Sequence, residues 1–307
     1  MELTVVIPVT HNTPYLNASL RSIRYDYDGE IILVEDGDES DERCKGIART
    51  YDATYIKNDR WRSILSSILI GARSCTTDIV MFSHSDIMFP PGWYDDITDM
   101  WYNADERIGM LNTQYYGFFG NVNAYGRELF ISGKYSELLD HLQTYHDTRK
   151  ILNSNPDRYG IARFEHVDPN RYKIANAISQ CFTIRGDILR AMDDIDTCEL
   201  PYTIIMELIR LRLWDITAST LIYLHAQGID RSIMYGKRKE ETGYGEVNFI
   251  KRYGFSSNYV VEAIYSDVYI NNSDAIIEHS NNKTLYEIDY LFDEMDGKLH
   301  KGGHSEP

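Results

Sequence analysis

Ile79-Val80-Met81-Phe82-Ser83-His84-Ser85-Asp86-Ile87-Met88-Phe89-Pro90-Pro91-Gly92-Trp93 is the stretch that decides the fold. Four apolar residues have the pattern of a short buried strand. They break into a small polar triplet, followed by a Pro-Pro-Gly turn and a helix-like segment. Polar groups at the end of a parallel strand sit where open α/β sheets bind their ligands. In extended backbone His84 and Asp86 point to the same side. An imidazole and a carboxylate can then meet one divalent cation, and Ser85 offers its hydroxyl or backbone N–H to a phosphate.

Working outward, the residues before this stretch repeat its logic. Leu3 to Val9 is apolar and β-branched and fits a central buried strand that Pro8 brings to its end. Thr13 reads as an N-cap with Pro14 at the first helical position, and Leu16, Leu20 and Ile23 follow at helical spacing. Ile31 to Val34 is a second buried strand, ending in Glu35-Asp36-Gly37-Asp38. Carboxylates at that strand tip can accept hydrogen bonds from a nucleobase or a ribose; Asp38 and Asp41 read as solvated turn and capping residues. Tyr51 to Lys57 predicts a third strand, and Ser63 caps a helix carrying Ile64, Leu65, Ile68 and Leu69. Arg60 and Arg62 stand before that helix, whose N-terminus favours anions, so they are candidates for phosphate contacts.

The first part thus reads as βαβαβαβ, which implies a mostly parallel sheet with right-handed crossovers. Its strand-end loops carry Thr10, Glu35 with Asp36, and His84 with Asp86 on one edge. The loop Thr10-His11-Asn12 has no glycine, which argues against a G-x-G-x-x-G dinucleotide site, and no G-x-x-x-x-G-K-[ST] occurs.

Composition narrows the classes further. Lys+Arg 31 against Asp+Glu 47 gives a net charge of -16, which disfavours nonspecific binding to nucleic acid or anionic lipid. An anionic substrate then needs a local remedy, such as a metal ion or a few placed arginines. Cys44, Cys75, Cys181 and Cys198 form no CxxC pair, which argues against structural zinc and for free thiols in a reducing compartment. No basic leader precedes Leu3 to Val9, and that run is too short for a signal or a membrane span, so the expectation is a cytoplasmic chain without a transmembrane segment. Triplets at Asn17, Asn271 and Asn282 read as chance glycosylation matches. His141 and His146 do not share a helix face, so they are not a ligand pair. Of the 24 tyrosines, some could stack on sugar rings, but most read as ordinary core and surface residues.

At this point the residues resemble a glycosyltransferase of the GT-A fold, closest to glycosyltransferase family 2. That family opens with a strand ending in Pro-x-Tyr/His-Asn, matched by Ile7-Pro8-Val9-Thr10-His11-Asn12. Its Asp-Asp-Gly-Ser is matched by Glu35-Asp36-Gly37-Asp38, its Asn before a helix by Asn58, and its Asp-x-Asp by His84-Ser85-Asp86, with Pro90 following. Glu35 and His84 depart from the usual aspartates, and the glycine and asparagine usual after Asn58 are absent. Further on, Ile178 to Asp187 is similar to the acceptor-side strand with an Arg leading into a helix. Asp193 to Asp196 is similar to Phe-Asp-Glu, and Met206 to Leu211 resembles the segment carrying a general base.

The resemblance implies an α/β fold of GT-A type, a Rossmann-like nucleotide-binding and mostly parallel sheet flanked by helices. It implies a transferase domain over 1–230, with a donor half to about 95 and an acceptor half from about 96, then a helical extension over 231–307 with a frayed tail from about 300. It implies a donor that is a nucleotide-diphosphate sugar, UDP- or GDP-linked, and a hydroxyl acceptor on a glycan or other glycoconjugate. Asp86, with His84 and His225, would hold Mn²⁺ or Mg²⁺. Pro8 and Thr10 would line the nucleoside pocket, Glu35 or Asp36 would hold base or ribose, and Arg62 and Ser85 would meet phosphate. Glu207 would act as general base if the reaction inverts; its bland reading is a solvated helix glutamate. Arg231, Lys237, Arg238 and Lys239 form a local basic cluster that would clamp the pyrophosphate. Leu138 to Asn153 reads as a polar helix, and residues from Glu246 onward read as helical. Two competing readings stay open here: a non-catalytic glycan- or protein-binding module on the same fold, and a sugar nucleotidyltransferase, which would want a basic glycine-rich first loop.

Overall fold

The computed structural model describes residues 1–9, 14–36, 42–60, 62–104, 106–117, 181–193, 200–211 and 213–225, with parts of 128–144 and 249–253. Eight strands form one sheet in the order β3-β2-β1-β4-β7-β6-β8-β5. The strands are β1 (Leu3–Val9), β2 (Ile31–Glu35), β3 (Thr54–Lys57), β4 (Ile79–Ser83), β5 (Ile87–Met88), β6 (Ile108–Gly117), β7 (Cys181–Arg185) and β8 (Trp214–His225). The helices are α1 (Pro14–Ile23), α2 (Glu42–Thr50), α3 (Ile64–Arg73), α4 (Trp93–Tyr102), α5 (Gly186–Ala191) and α6 (Leu200–Arg210).

The first four strands are parallel, as the βαβ pattern requires. The second half mixes directions. β7 runs antiparallel between β4 and β6, β6 and β8 are parallel, and β5 returns antiparallel along β8. Strands β1, β2, β3, β4, β6 and β8 therefore all point their carboxyl ends at one edge.

Strand alternation builds the two cores. On one face Leu3, Val5, Ile7 and Val9 of β1 join Ile79 and Met81 of β4, covered by Leu16, Leu20 and Ile23 of α1 and Trp93 and Ile97 of α4. On the other face Val6, Val80 and Phe82 meet Leu65, Ile68, Leu69 and Ala72 of α3. Ile188 of α5 and Ile204 and Leu208 of α6 extend that second layer. A sheet buried on both faces explains why these strands are continuous apolar runs. Gly71 lets α3 lie close on the sheet, because a Cβ there would collide with Val6 Cγ1.

Three local expectations need correction. β3 begins at Thr54, not Tyr51, because α2 ends in a left-handed cap: Asp52 has φ 49°, and the Ala53 N–H donates to the Ala48 carbonyl at 2.8 Å. β8 begins at Trp214, six residues before the predicted start at Thr220. The His84–Asp86 triplet is not extended backbone. β4 stops at Ser83, the chain turns through Ser85 and Asp86, and Ile87 starts β5, its N–H donating to the His84 carbonyl at 3.4 Å. The Pro-Pro-Gly turn stands as read, with Gly92 at φ 86° as the N-cap of α4. Ser63 caps α3, its Oγ accepting from the Ser66 N–H at 3.1 Å.

Candidate active site

The strand ends bring the polar clusters together in register. Val9, Glu35 and Lys57 form one rung across β1, β2 and β3. Val6 pairs with Phe82, so Pro8 and His84, two residues further on, reach the same edge. β5 and β8 then place Ile87 opposite His225, and β6 places Gly117 opposite His225. The backbone of His225 is therefore beside the turn that carries Asp86.

Glu35 is 1% exposed, and the Tyr55 hydroxyl donates to its Oε2. Lys57 Nζ stands 4.0 Å from the same oxygen. A carboxylate with so little water needs donors of this kind. Asp36 is also buried; its Oδ1 accepts from Asn58 Nδ2 at 3.0 Å and from the Arg62 backbone N–H at 2.8 Å. Asn58 donates in addition to Ser67 Oγ at 3.1 Å, and its own N–H donates to the Glu35 carbonyl at 2.9 Å. Asp36 thus ties the strand tip of β2 to the loop that precedes α3.

Arg62 donates from Nη2 to Asp59 Oδ1 at 3.2 Å. That hydrogen bond holds the Asp59 carboxyl below its ordinary range. The aspartate side chain is 76% exposed, and a solvated pair of this kind is weak enough to open when a better anion arrives. His84, Ser85 and Asp86 are half-buried. The His84 ring meets Phe82 edge-on at 5.2 Å, and Phe82 packs on Phe182 at 5.0 Å, so the imidazole is oriented by the core beneath it.

Among the described residues no group of three His, Cys, Asp or Glu side chains forms a ready-made metal cage. A carboxylate and an imidazole on one turn nevertheless suit a borderline cation that takes oxygen and nitrogen ligands and completes its shell with phosphate oxygens or water. The chemistry of this donor pair suits a divalent cation.

Not every expected residue reaches this edge. Glu207 is 1% exposed in the last turn of α6, and its Oε1 accepts from Arg252 Nη2 at 2.9 Å and from the Tyr253 hydroxyl at 2.9 Å. It is not a solvated helix glutamate. Thr10, and the cluster of Arg231, Lys237, Arg238 and Lys239, lie outside the described residues. A cleft of about 480 Å³ lined by Asp78, Trp101, Glu106, Arg185 and Arg190 opens at the opposite edge, where β4 begins and β7 ends. It is remote from the strand tips; on its wall Arg185 pairs with Asp187 at 2.7 Å, and Arg190 donates to the Thr77 carbonyl at 3.1 Å.

Sequence reasoning missed Tyr55 and Arg252. Tyr55 had a signal: on a strand two residues from Lys57, it faces the same side as the residue opposite Glu35. Arg252 had none, since its partner is 45 residues away.

Residues 4–191 match the profile of glycosyl transferase family 2. No curated protein matches the sequence. Among solved structures the chain is similar to the mannosyltransferase PcManGT from Pyrobaculum calidifontis, solved in complex with GDP-Man and Mn²⁺. The TM-score is 0.53 at 12% identity, over 97% of this chain and 80% of that one. It is also similar to S. aureus TarS 1-349 in complex with UDP-GlcNAc, with a TM-score of 0.52 at 13% identity, over 92% of this chain and 72% of that one. At these identities the likeness speaks to the fold, which is that of the GT-A glycosyltransferases.

Proposed function

The chain belongs to glycosyl transferase family 2, and from that premise we propose that this glycosyltransferase takes a UDP- or GDP-linked sugar, with Mn²⁺ or Mg²⁺, and transfers the sugar to a hydroxyl of a glycan or other glycoconjugate. The observation that carries the reading is the meeting of three segments at one sheet edge: Glu35 with Asp36, the His84–Asp86 turn, and the end of β8 at His225.

In this reading the crevice binds the donor along the strand tips. Pro8 and Thr10 line the nucleoside pocket. Glu35, held by the Tyr55 hydroxyl, accepts from the nucleobase. Asp36 serves by fixing the 58–62 loop, which presents Arg62 and the N-terminus of α3 to the diphosphate. Ser85 offers a donor to the same phosphates. Asp86, with His84 and His225, holds the cation. When bound, that cation neutralises charge on the departing nucleoside diphosphate. The bond from the sugar anomeric carbon to the phosphate oxygen breaks, the bond to the acceptor oxygen forms, and the acceptor proton leaves to a base. A chain of net charge -16 needs these local cationic and N–H groups to accept a dianion at all. The glutamate at position 35 keeps the acceptor chemistry of the usual aspartate with a longer reach.

The test is release of nucleoside diphosphate from a panel of UDP- and GDP-sugars, with Mn²⁺, Mg²⁺ or chelator. The expected result is metal-dependent release from donors of one nucleotide. Equal release in chelator would contradict the assignment of Asp86 and His84 to a cation.

A further inference from the structure

Glu207 is a buried ionisable group that donor binding does not use. Its position follows from the strands next to it. The Leu211 N–H donates to the Glu207 carbonyl at 3.0 Å, so Glu207 stands in the closing turn of α6. The next residue, Leu208, lies over Gly109, the second residue of β6, where a Cβ would strike the Leu208 side chain. The Leu213 N–H donates back to the Leu208 carbonyl at 2.8 Å, and β8 starts one residue later. β6 and β8 therefore begin beneath this turn. β8 then runs twelve residues, with a bulge against the ten-residue β6, roughly 30 Å along the sheet to reach His225. Glu207 is at the edge of the sheet opposite the donor crevice.

What surrounds it comes from the C-terminal part of the chain. Arg252 donates to Glu207 Oε1 from Nη2 at 2.9 Å and from Nε at 3.3 Å, and reaches Asp193 Oδ2 from Nη1 at 3.0 Å. The Tyr253 hydroxyl donates to the same Oε1 at 2.9 Å. Phe249, Ile250 and Tyr253 are buried, and the Phe249 and Tyr253 rings meet at a tilt, centroids 4.7 Å apart. One arginine thus bridges Asp193, two residues after α5, and the last turn of α6, where Glu207 is 1% exposed. Burial alone would lower the basicity of Arg252, but the hydrogen bonds it donates to Glu207 and Asp193 outweigh it and hold the guanidinium charged. Burial pushes the Tyr253 hydroxyl up, so it stays a donor throughout the working pH range.

We propose that Glu207 is the anchor that docks residues 249–253 onto α5 and α6, and that it is a structural carboxylate rather than the proton acceptor of the transfer. Arg252 and Tyr253 are its positioning partners. The described residues of 249–253 then pack as part of the same unit as α5 and α6. The family segment that carries a base elsewhere is here turned to holding the start of β8 in place. Glu207 and its partners lie away from the crevice, so the docking contact itself can be tested without a donor.

The experiment compares Glu207→Gln, Arg252→Met and the double variant in the full chain by thermal unfolding and by hydrogen exchange, with no nucleotide present. Removing one partner of a buried pair is expected to lower Tm by about 6–12 °C, and the double variant is expected to lose less than the sum of the singles. Exchange is expected to rise together at 200–210 and 249–253. Tyr253→Phe and Arg252→Lys are milder changes that give the same coupled rise should Glu207→Gln not fold. In the nucleotide-release assay the acid limb of the pH profile is expected to persist in Glu207→Gln. An unchanged or raised Tm for Glu207→Gln, or loss of that acid limb with the fold intact, would overturn the proposal.

Discussion

Ile87 lies directly opposite His225 in the antiparallel pairing of β5 with β8, so the last residue of β8 stands across from the residue that follows Asp86. Two segments 138 positions apart in the chain are joined there by a two-residue strand. That short strand exists because the chain turns back after His84 instead of running on, and the turn is what gathers the proposed cation ligands.

On the proposed reading Asp86 is expected to matter more than His84, whose ring also rests on Phe82. Asp86→Ala is expected to lower donor turnover by about 10²-fold or more, on the scale of losing one preorganised electrostatic group. His84→Ala is expected to lower it less. Both side chains are half-buried at a turn, so Tm should move by no more than a few degrees, and circular dichroism with nucleotide-release rates checks both.

The pairing of Tyr55 with Glu35 makes a second expectation. Tyr55→Phe removes the hydroxyl that donates to a carboxylate only 1% exposed. A buried acceptor left short of a donor costs about 1–3 kcal/mol. The loss should appear in chemical denaturation, and a raised KM for the donor with kcat nearly kept should accompany it. An unchanged KM would separate Glu35 from the base pocket.

Asp36 is expected to act through the loop it holds. Asp36→Ala leaves the buried Asn58 amide and the Arg62 N–H without their carboxylate, at a cost of about 1–3 kcal/mol. Hydrogen exchange should rise at 58–62 and at the first turn of α3. Asp36→Asn should keep part of the effect, because one oxygen still accepts.

Two aspartates carry opposite pH dependences. Asp26 accepts from the Gly92 N–H at the start of α4, and burial raises its carboxyl above the ordinary 3.8. The folded state then binds more protons than the unfolded one in that window, so the contribution of Asp26 to stability is full below about pH 3.8 and shrinks as pH rises through the raised value. Asp187 is the reverse. The hydrogen bond from Arg185 lowers its carboxyl, so its contribution is present above the ordinary 3.8 and is lost as pH falls below it. Its side chain is 61% exposed, which keeps that contribution within a few tenths of a kcal/mol. The Tm difference between the natural protein and Asp26→Asn should narrow from pH 3 to 6, whereas that for Asp187→Asn should open slightly.

The first half was legible because its physics is local. Continuous apolar runs mark β1, β2 and β4, Ser63 caps α3, and Pro90-Pro91-Gly92 starts α4. Each signal lies within a few residues of the feature it produces. The same holds for the placement of Glu35, Asp36, His84 and Asp86 at one edge, which follows from parallel strand direction alone. The second half was less legible because β7 enters between β4 and β6 in the opposite sense, a choice that long-range packing makes. The environment of Glu207 could not be read for the same reason: a helix glutamate looks alike in sequence whether water or Arg252 faces it. The turn at Ser85 was hidden by a triplet that suits either an extended strand or a bend.

The measurement that tests the central claim most directly is a thermal-shift titration with UDP, GDP, dTDP and CMP nucleotides and their sugars, each with and without Mn²⁺. A ligand that binds only the folded state raises Tm by mass action, by an amount equivalent to about 2.7 kcal/mol at a hundred times Kd. The account predicts a Mn²⁺-dependent rise with one nucleoside diphosphate, UDP or GDP, that Asp86→Asn abolishes. No rise with any nucleotide, or a rise indifferent to both Mn²⁺ and Asp86, would contradict it.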